Sequence, residues 1–186
     1  MKYLLGLPFF VILLTHCSNS KPAGFKVENL NNEPTYINPE KSKRGTVLYF
    51  IQPDCPLSQL YAMSVNQLYS FYQKKGYNFY GIVPGDLYPV SEVKLFVEDY
   101  VFLPPVYLDK EKLVSTHFGV KVVPDVVLID KNGKVIYSGK IDDQAIDTGR
   151  KKFKATHFYL LDALKSHYEG KAVAINKTNP VGCYIE

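Results

Sequence analysis

The longest apolar run in the body of the chain is 46–51 (TVLYFI), the pattern of a strand buried on both faces. It stops at Gln52-Pro53-Asp54, a turn sequence, and a cysteine and a proline follow before the spacing turns helical. From 57 to 75 the apolar positions Leu60, Tyr61, Met63, Leu68, Phe71 and Tyr72 recur at helical intervals, and Gly76 supplies a stop. A second strand, 77–83 (YNFYGIV), closes on Pro84-Gly85-Asp86. Ser91 is placed to cap a helix running to Tyr100, with Val93, Phe96 and Val97 on one face. A short strand at 105–108 and a helix at 110–118, stopped by Gly119, come next. The run 126–129 is a strand, Asn132-Gly133 carries the tight-hairpin signal, and 135–139 returns. A last helix over 153–168 places Phe158, Leu161 and Leu164 on its apolar side, and 180–186 is an extended tail. Ahead of all this, 24–30 alternates Phe25, Val27 and Leu30 as an edge strand does, and 31–44 is polar and turn-rich.

The order predicted is β-α-β-α-β-α-β-β-α, a parallel core finished by an antiparallel hairpin. A chain of 186 residues, 46% hydrophobic and 22% charged, is long and apolar enough for one packed domain. Its formal net charge is +4 with the lysines scattered, which argues against a nucleic-acid face. No paired-cysteine zinc motif, phosphate loop or Ser-His-Asp pattern occurs. Asp142-Asp143 lacks further ligands and reads as a solvated loop or cap rather than a metal site, and His117, His157 and His167 read as helix-end or surface residues. No cofactor is implied.

The first residues change the picture. Lys2 precedes an apolar run, 3–14, too short to span a bilayer comfortably. Leu14-Thr15-His16-Cys17 resembles a bacterial lipoprotein signal, in which the cysteine becomes the lipidated first residue, although His16 stands where a small residue is usual. A plain secretory signal is the alternative. The organisation expected is a signal at 1–16, a linker and edge strand over 17–44, and the folded domain over 45–186. Either signal puts the mature protein outside the cytoplasm, where disulfides persist. An acylated Cys17 would anchor it to the cell envelope without a spanning helix.

Candidate chemistry gathers at Cys55. Proline suits the first helical position, so Cys55-Pro56 places the thiol at a helix N-terminus, where unpaired amides and the helix dipole favour the thiolate. The alternative is an inert buried cysteine. Asp54 would oppose ionisation of the thiol and is read as a turn residue or cap.

The segment resembles the active-site segment of the thioredoxin superfamily, in which a strand phenylalanine precedes the nucleophilic cysteine by five residues, as Phe50 precedes Cys55. The resemblance implies a thioredoxin-like fold: a central mixed sheet flanked by helices, with a helix-strand insertion and an extended tail. It also implies a cis proline at Pro124, and substrate contacts from Pro56, Val123 and Pro124. Ser58 stands where thioredoxins carry their second cysteine. Three segments together, 50–61, 124–143 and 179–185, are similar to peroxiredoxin-like redoxins of the AhpC/TSA type. The true peroxiredoxin pattern is departed from at Leu48 and Gln52, where it has proline and threonine or serine, and the distant arginine of that pattern has only Arg44 and Arg150 as candidates. Of the three cysteines, Cys17, Cys55 and Cys183, lipidation of the first leaves Cys183 as the candidate resolving thiol, with tail packing as its alternative. The reading is a thiol-disulfide oxidoreductase acting on a protein or small-molecule disulfide, thiol or peroxide, with an external thiol as electron donor. The competing classes are a non-catalytic binding module on the same fold and a weak peroxidase.

Overall fold

A computed structural model describes residues 24–186; the expected signal and Cys17 lie outside the described residues. Seven strands, β1 (Phe25–Glu28), β2 (Pro34–Ile37), β3 (Gly45–Phe50), β4 (Tyr77–Pro84), β5 (Val106–Asp109), β7 (Asp125–Asp130) and β8 (Val135–Gly139), form a sheet in the order β2-β1-β5-β4-β3-β7-β8. Its centre is β3 (Gly45–Phe50), every residue of which is buried. β3 pairs in parallel with β4 (Tyr77–Pro84), which pairs in parallel with β5 (Val106–Asp109). On its other edge β3 meets β7 (Asp125–Asp130) antiparallel, and β7 turns back into β8 (Val135–Gly139). The parallel core, the hairpin and the inserted helix and strand, Val90–Asp99 and β5, are therefore those expected. Gly133 makes the hairpin turn at φ 83°, with the Asp130 carboxylate accepting from the amides of Asn132 and Lys134.

α1 (Pro56–Tyr72) begins at the predicted proline, and the chain turns out at Gly76 in the left-handed region, φ 90°. Its buried side is Leu57, Ser58, Tyr61, Ala62, Val65 and Tyr72, while Met63 and Phe71 face outward. Four local expectations are corrected. The polar stretch 31–44 contains a strand, β2 (Pro34–Ile37), hairpinned onto β1 (Phe25–Glu28) by the Asn29 side chain, which accepts from the amides of Asn31 and Glu33. α2 (Val90–Asp99) is opened by Pro89, not Ser91. The helix expected over 110–118 shrinks to α3 (Leu113–His117), because the Asp109 carboxylate takes the amides of Val114 and Ser115 and fixes the start there.

The final helix is also shorter, α4 (Tyr159–Tyr168), and its buried side is Leu160, Ala163 and Leu164 rather than Phe158 and Leu161. Asp143 explains the difference. Its carboxylate accepts from the amides of Thr156 and His157 and pairs with Lys152 at 2.5 Å, so the chain before α4 wraps around this side chain as a loop. Asp142 receives the Tyr61 hydroxyl at 2.7 Å. The pair is buried and organises a loop; it is not a solvated one. Among the described residues no group of His, Cys, Asp and Glu could hold a metal ion, and no helix is long and apolar enough to cross a membrane.

Candidate active site at the end of β3

The chain leaves β3 with one further tie, Ile51 N–H to the Ile82 carbonyl, and turns through 52–54, where Cys55 N–H reaches the Gln52 carbonyl at 3.2 Å. Cys55 is the N-cap residue of α1, in extended geometry (φ −72°, ψ 116°), and Pro56 follows as the first helical residue. The turn is held from both sides. Ser58, fully buried, accepts the Gln52 amide on its hydroxyl at 3.3 Å, and its carbonyl accepts the Tyr49 hydroxyl at 3.0 Å. The residue in the second-cysteine place thus braces the turn. Tyr88 donates its hydroxyl to Asp54 at 2.5 Å, which keeps that carboxylate engaged on the rim.

Across from Cys55 lies β6 (Val122–Val123), joined to β7 by a cis peptide bond between Val123 and Pro124. The Val123 carbonyl is 3.4 Å from the Cys55 sulfur. The C-terminal tail pairs onto this strand: β9 (Cys183–Tyr184) runs antiparallel to β6, with Val123 opposite Cys183 and Val122 opposite Tyr184. Ile185 N–H extends the ladder to the Lys121 carbonyl at 3.1 Å, and the last carbonyl, that of Glu186, receives the Lys112 ammonium. Gly182 is required by the close approach. A Cβ there would overlap the Val123 carbonyl and crowd the Pro124 nitrogen.

This packing joins Cys55 and Cys183 in a disulfide with their Cα atoms 6.2 Å apart, inside the range such a bond needs. In this form Cys55 is 1% exposed. The tail has a second anchor upstream. Asn176 and Thr178 pair with Ser138 of β8, and the Thr178 hydroxyl accepts the Lys140 amide at 2.8 Å and meets the Tyr137 hydroxyl at 2.7 Å. Tyr137 in turn donates to the Lys140 carbonyl, so the Thr178 hydroxyl is the donor in their contact.

Sequence reasoning missed one group. Asp125, the first residue of β7 and the neighbour of Pro124, is buried, and its Oδ1 meets no hydrogen-bond partner among the described residues. Burial pushes its carboxyl up to about 7, while the amides of Val126 and Gly139 and the charge of Lys177 pull the other way. The available signal was an aspartate set directly in the apolar run VVPDVVLI. The histidines have their partners elsewhere. His117 packs edge-on against Phe25, His157 bonds to Asp143, and His167, half-buried against the Tyr77 hydroxyl, has its pKa lowered by burial. Arg44 lies at the opposite end of β3, over the Tyr168 ring, and Arg150 pairs with Asp147.

Comparison with known proteins follows the same lines. A thiol-disulfide oxidoreductase ResA from Geobacillus thermodenitrificans is 28% identical over 135 residues, 73% of this chain and 76% of that protein. The structure of an uncharacterized conserved protein from Geobacillus kaustophilus superposes with a TM-score of 0.77 at 24% identity, covering 90% of this chain and 93% of that one. A secreted disulfide oxidoreductase from Mycobacterium tuberculosis shares the thioredoxin-like fold at a TM-score of 0.51 and 22% identity, over 60% of this chain and 79% of that one. The AhpC/TSA family model matches residues 20–138, well over half of the sequence. The chain belongs to the AhpC/TSA family.

Proposed function

We propose that the protein is an extracytoplasmic thiol-disulfide oxidoreductase in which Cys55 is the nucleophile and Cys183 the resolving thiol. The observation that carries this is the Cys55–Cys183 disulfide, formed between a helix N-terminus and a tail residue already paired to β6. In the reductive direction the Cys55 thiolate attacks one sulfur of a substrate disulfide, forming a mixed disulfide and releasing the other substrate sulfur as a thiolate. The Cys183 thiolate then attacks the Cys55 sulfur, expels the second substrate thiolate and closes the internal disulfide. Two electrons leave the dithiol, and an external thiol donor restores them through the reverse exchange. The relative reduction potentials of substrate and donor set the net direction. The amides of the first turn of α1 favour the Cys55 thiolate as attacker and as leaving group. Val123 and Pro124, against which the tail now lies, are where a substrate segment would come beside the sulfur, with Pro56 on the other rim.

The relatives named thiol-disulfide oxidoreductase support the reaction class, and the secreted one supports an extracytoplasmic site. Residues 1–17 would direct export, with Cys17 as the lipid-bearing residue; a Cys17→Ser variant that fractionates like the wild type would refute the anchor. Peroxide is a poor substrate on this reading, because Leu48 is buried in the core and the Gln52 amide is spent on Ser58, so neither stabilises a bound peroxide.

The mechanism is tested by mixing the reduced protein with a peptide disulfide. Wild type should release two peptide thiols per molecule and end with a Cys55–Cys183 peptide in non-reducing maps. Cys183→Ser should stop after one thiol and carry the peptide on Cys55, and Cys55→Ser should be inert. Turnover by Cys55→Ser, or two thiols released by Cys183→Ser without a trapped adduct, would overturn it.

A further inference from the structure

The fold brings together charge that the sequence scatters. At the end of the sheet opposite Cys55, the segments entering β3 and β4 and the β7–β8 turn surround an open concavity of about 1360 Å³. Its cations are Lys41, Lys43, Arg44, Lys74, Lys75 and Lys131. All are at least partly exposed, and among the described residues none of them makes an ion pair with a carboxylate. The nearby Asp130 carboxylate is taken up by the hairpin amides. Six cations face a single carboxylate, that of Asp130, in the lining of this concavity.

The patch is built, and it is amphipathic. Arg44 N–H is tied to the Gly76 carbonyl and the Asn78 amide to the Lys41 carbonyl, which fixes the two basic segments to each other. Arg44 lies 4.8 Å from the Tyr168 ring centre, and Lys75 lies 4.1 Å from that ring and 4.6 Å from Phe71. Phe71, on the outward side of α1, is 58% exposed. Cations held over exposed aromatic rings are the composition of surfaces that sit at anionic bilayers, with the charges at the headgroups and the rings at the interface. The described chain also begins here. Gly24 shares a recess with Asn38, Pro39, Glu40 and Gly133, next to the basic segment 41–44 and the hairpin turn.

We infer that this basic end is a docking face for an anionic lipid surface, holding the domain with Cys55 directed away from the bilayer. The six residues of β3 separate the two ends by about 20 Å, so a protein substrate can reach the sulfur while the opposite end rests on headgroups. The inference rests on the export and anchoring reading of residues 1–17. It adds an orientation that an anchor alone does not impose, because a flexible tether leaves the domain free to turn.

The test is hydrogen exchange on the mature chain, lipidated at Cys17, bound to vesicles of pure phosphatidylcholine and of phosphatidylcholine with phosphatidylglycerol. The lipid takes the chain to both, so the difference isolates the face. Expected is slower exchange over 41–44 and 73–78 on the anionic vesicles only, reversed by high salt and by Lys43→Glu with Lys74→Glu and Lys131→Glu. Each removed cation should weaken the contact about fivefold. Rates of glutathione disulfide reduction should be the same in that variant. Equal exchange on both vesicles overturns the docking face and leaves the anchor standing, whereas failure to bind either vesicle overturns both. The same protection from millimolar inorganic phosphate, or from a polyanionic protein but not vesicles, would replace the lipid surface with a different ligand.

Discussion

Asp125→Asn tests the most unusual electrostatic feature near the site. In the folded protein the carboxyl is pushed up to about 7 by burial, whereas an unfolded aspartate titrates near 3.9. Below about pH 4 both states hold the proton, and Asp125 adds no pH dependence. Between about 4 and 7 the folded state keeps a proton the unfolded state has released, so stability falls as pH rises. Above about 7 both are ionised and the cost is complete. A separation of about three pH units corresponds to at most about 4 kcal/mol. Asparagine keeps an acceptor for the amides of Val126 and Gly139 but sets an amide where Oδ1 has no partner, at a cost of about 1–3 kcal/mol independent of pH. The variant should therefore match or fall below the wild type at pH 4.5 and exceed it at pH 8. The assay is urea unfolding of the oxidised proteins across that range. Every other titrating group is common to both and drops out of the difference. A difference that stays flat with pH would refute the buried, proton-holding Asp125.

Three further outcomes follow from the packing. Cys183→Ser opens a bond closing 128 residues, for which loop entropy gives about 5 kcal/mol and measured bonds usually 2–4 kcal/mol; thermal unfolding should drop by roughly 6–12 °C and coincide with that of the reduced wild type. Gly182→Ala should slow closure of the Cys55–Cys183 bond at least tenfold in stopped-flow oxidation, since the new methyl meets the Val123 carbonyl; an unchanged rate would mean that β9 does not guide closure. Tyr61→Phe strips a buried hydroxyl from Asp142 and from the Ala145 amide, and should cost about 1–3 kcal/mol in urea unfolding, with Cys55 reactivity unaffected.

What was legible in the sequence was what short-range rules control. The apolar run of β3, the proline opening α1, Gly76 and the Asn-Gly hairpin each specify local backbone geometry, and each stands where expected. The misplaced boundaries share another cause. At 110–118 and 153–168 the helical periodicity is real, but a single aspartate, Asp109 or Asp143, captures backbone amides and resets the start. Propensity cannot register that competition, because Asp143 reaches amides 13 and 14 residues away. The same holds for the tail. An extended 180–186 was readable, but its pairing with Val122 and Val123 depends on a backbone approach between residues about sixty apart. The basic end was invisible for the same reason: its six cations come from three separate segments.

The double anchoring of the tail bears on how a buried Cys55 can act at all. If both anchors were lost on reduction, Cys183 would leave the site and compete poorly with external thiols for a mixed disulfide. The upstream anchor does not depend on sulfur: Thr178 is held by Ser138, Lys140 and Tyr137. The downstream hold is the disulfide, a two-residue ladder extended by the Ile185–Lys121 bond, and the exposed contact of Lys112 with the Glu186 carbonyl; these hydrogen bonds contribute only about 0.5–1.5 kcal/mol each. On the proposed mechanism, reduction therefore frees 180–186 to swing from Thr178 while the rest of the tail stays put. Cys183 lies five positions beyond Thr178, a span of at most about 18 Å. Val123 and Pro124 can then be vacated for a substrate, yet the resolving thiol stays within reach at an effective concentration that an external thiol would need millimolar levels to rival. Arrival of substrate and departure of product thus use the same strand edge in turn, first for the substrate segment and then for β9.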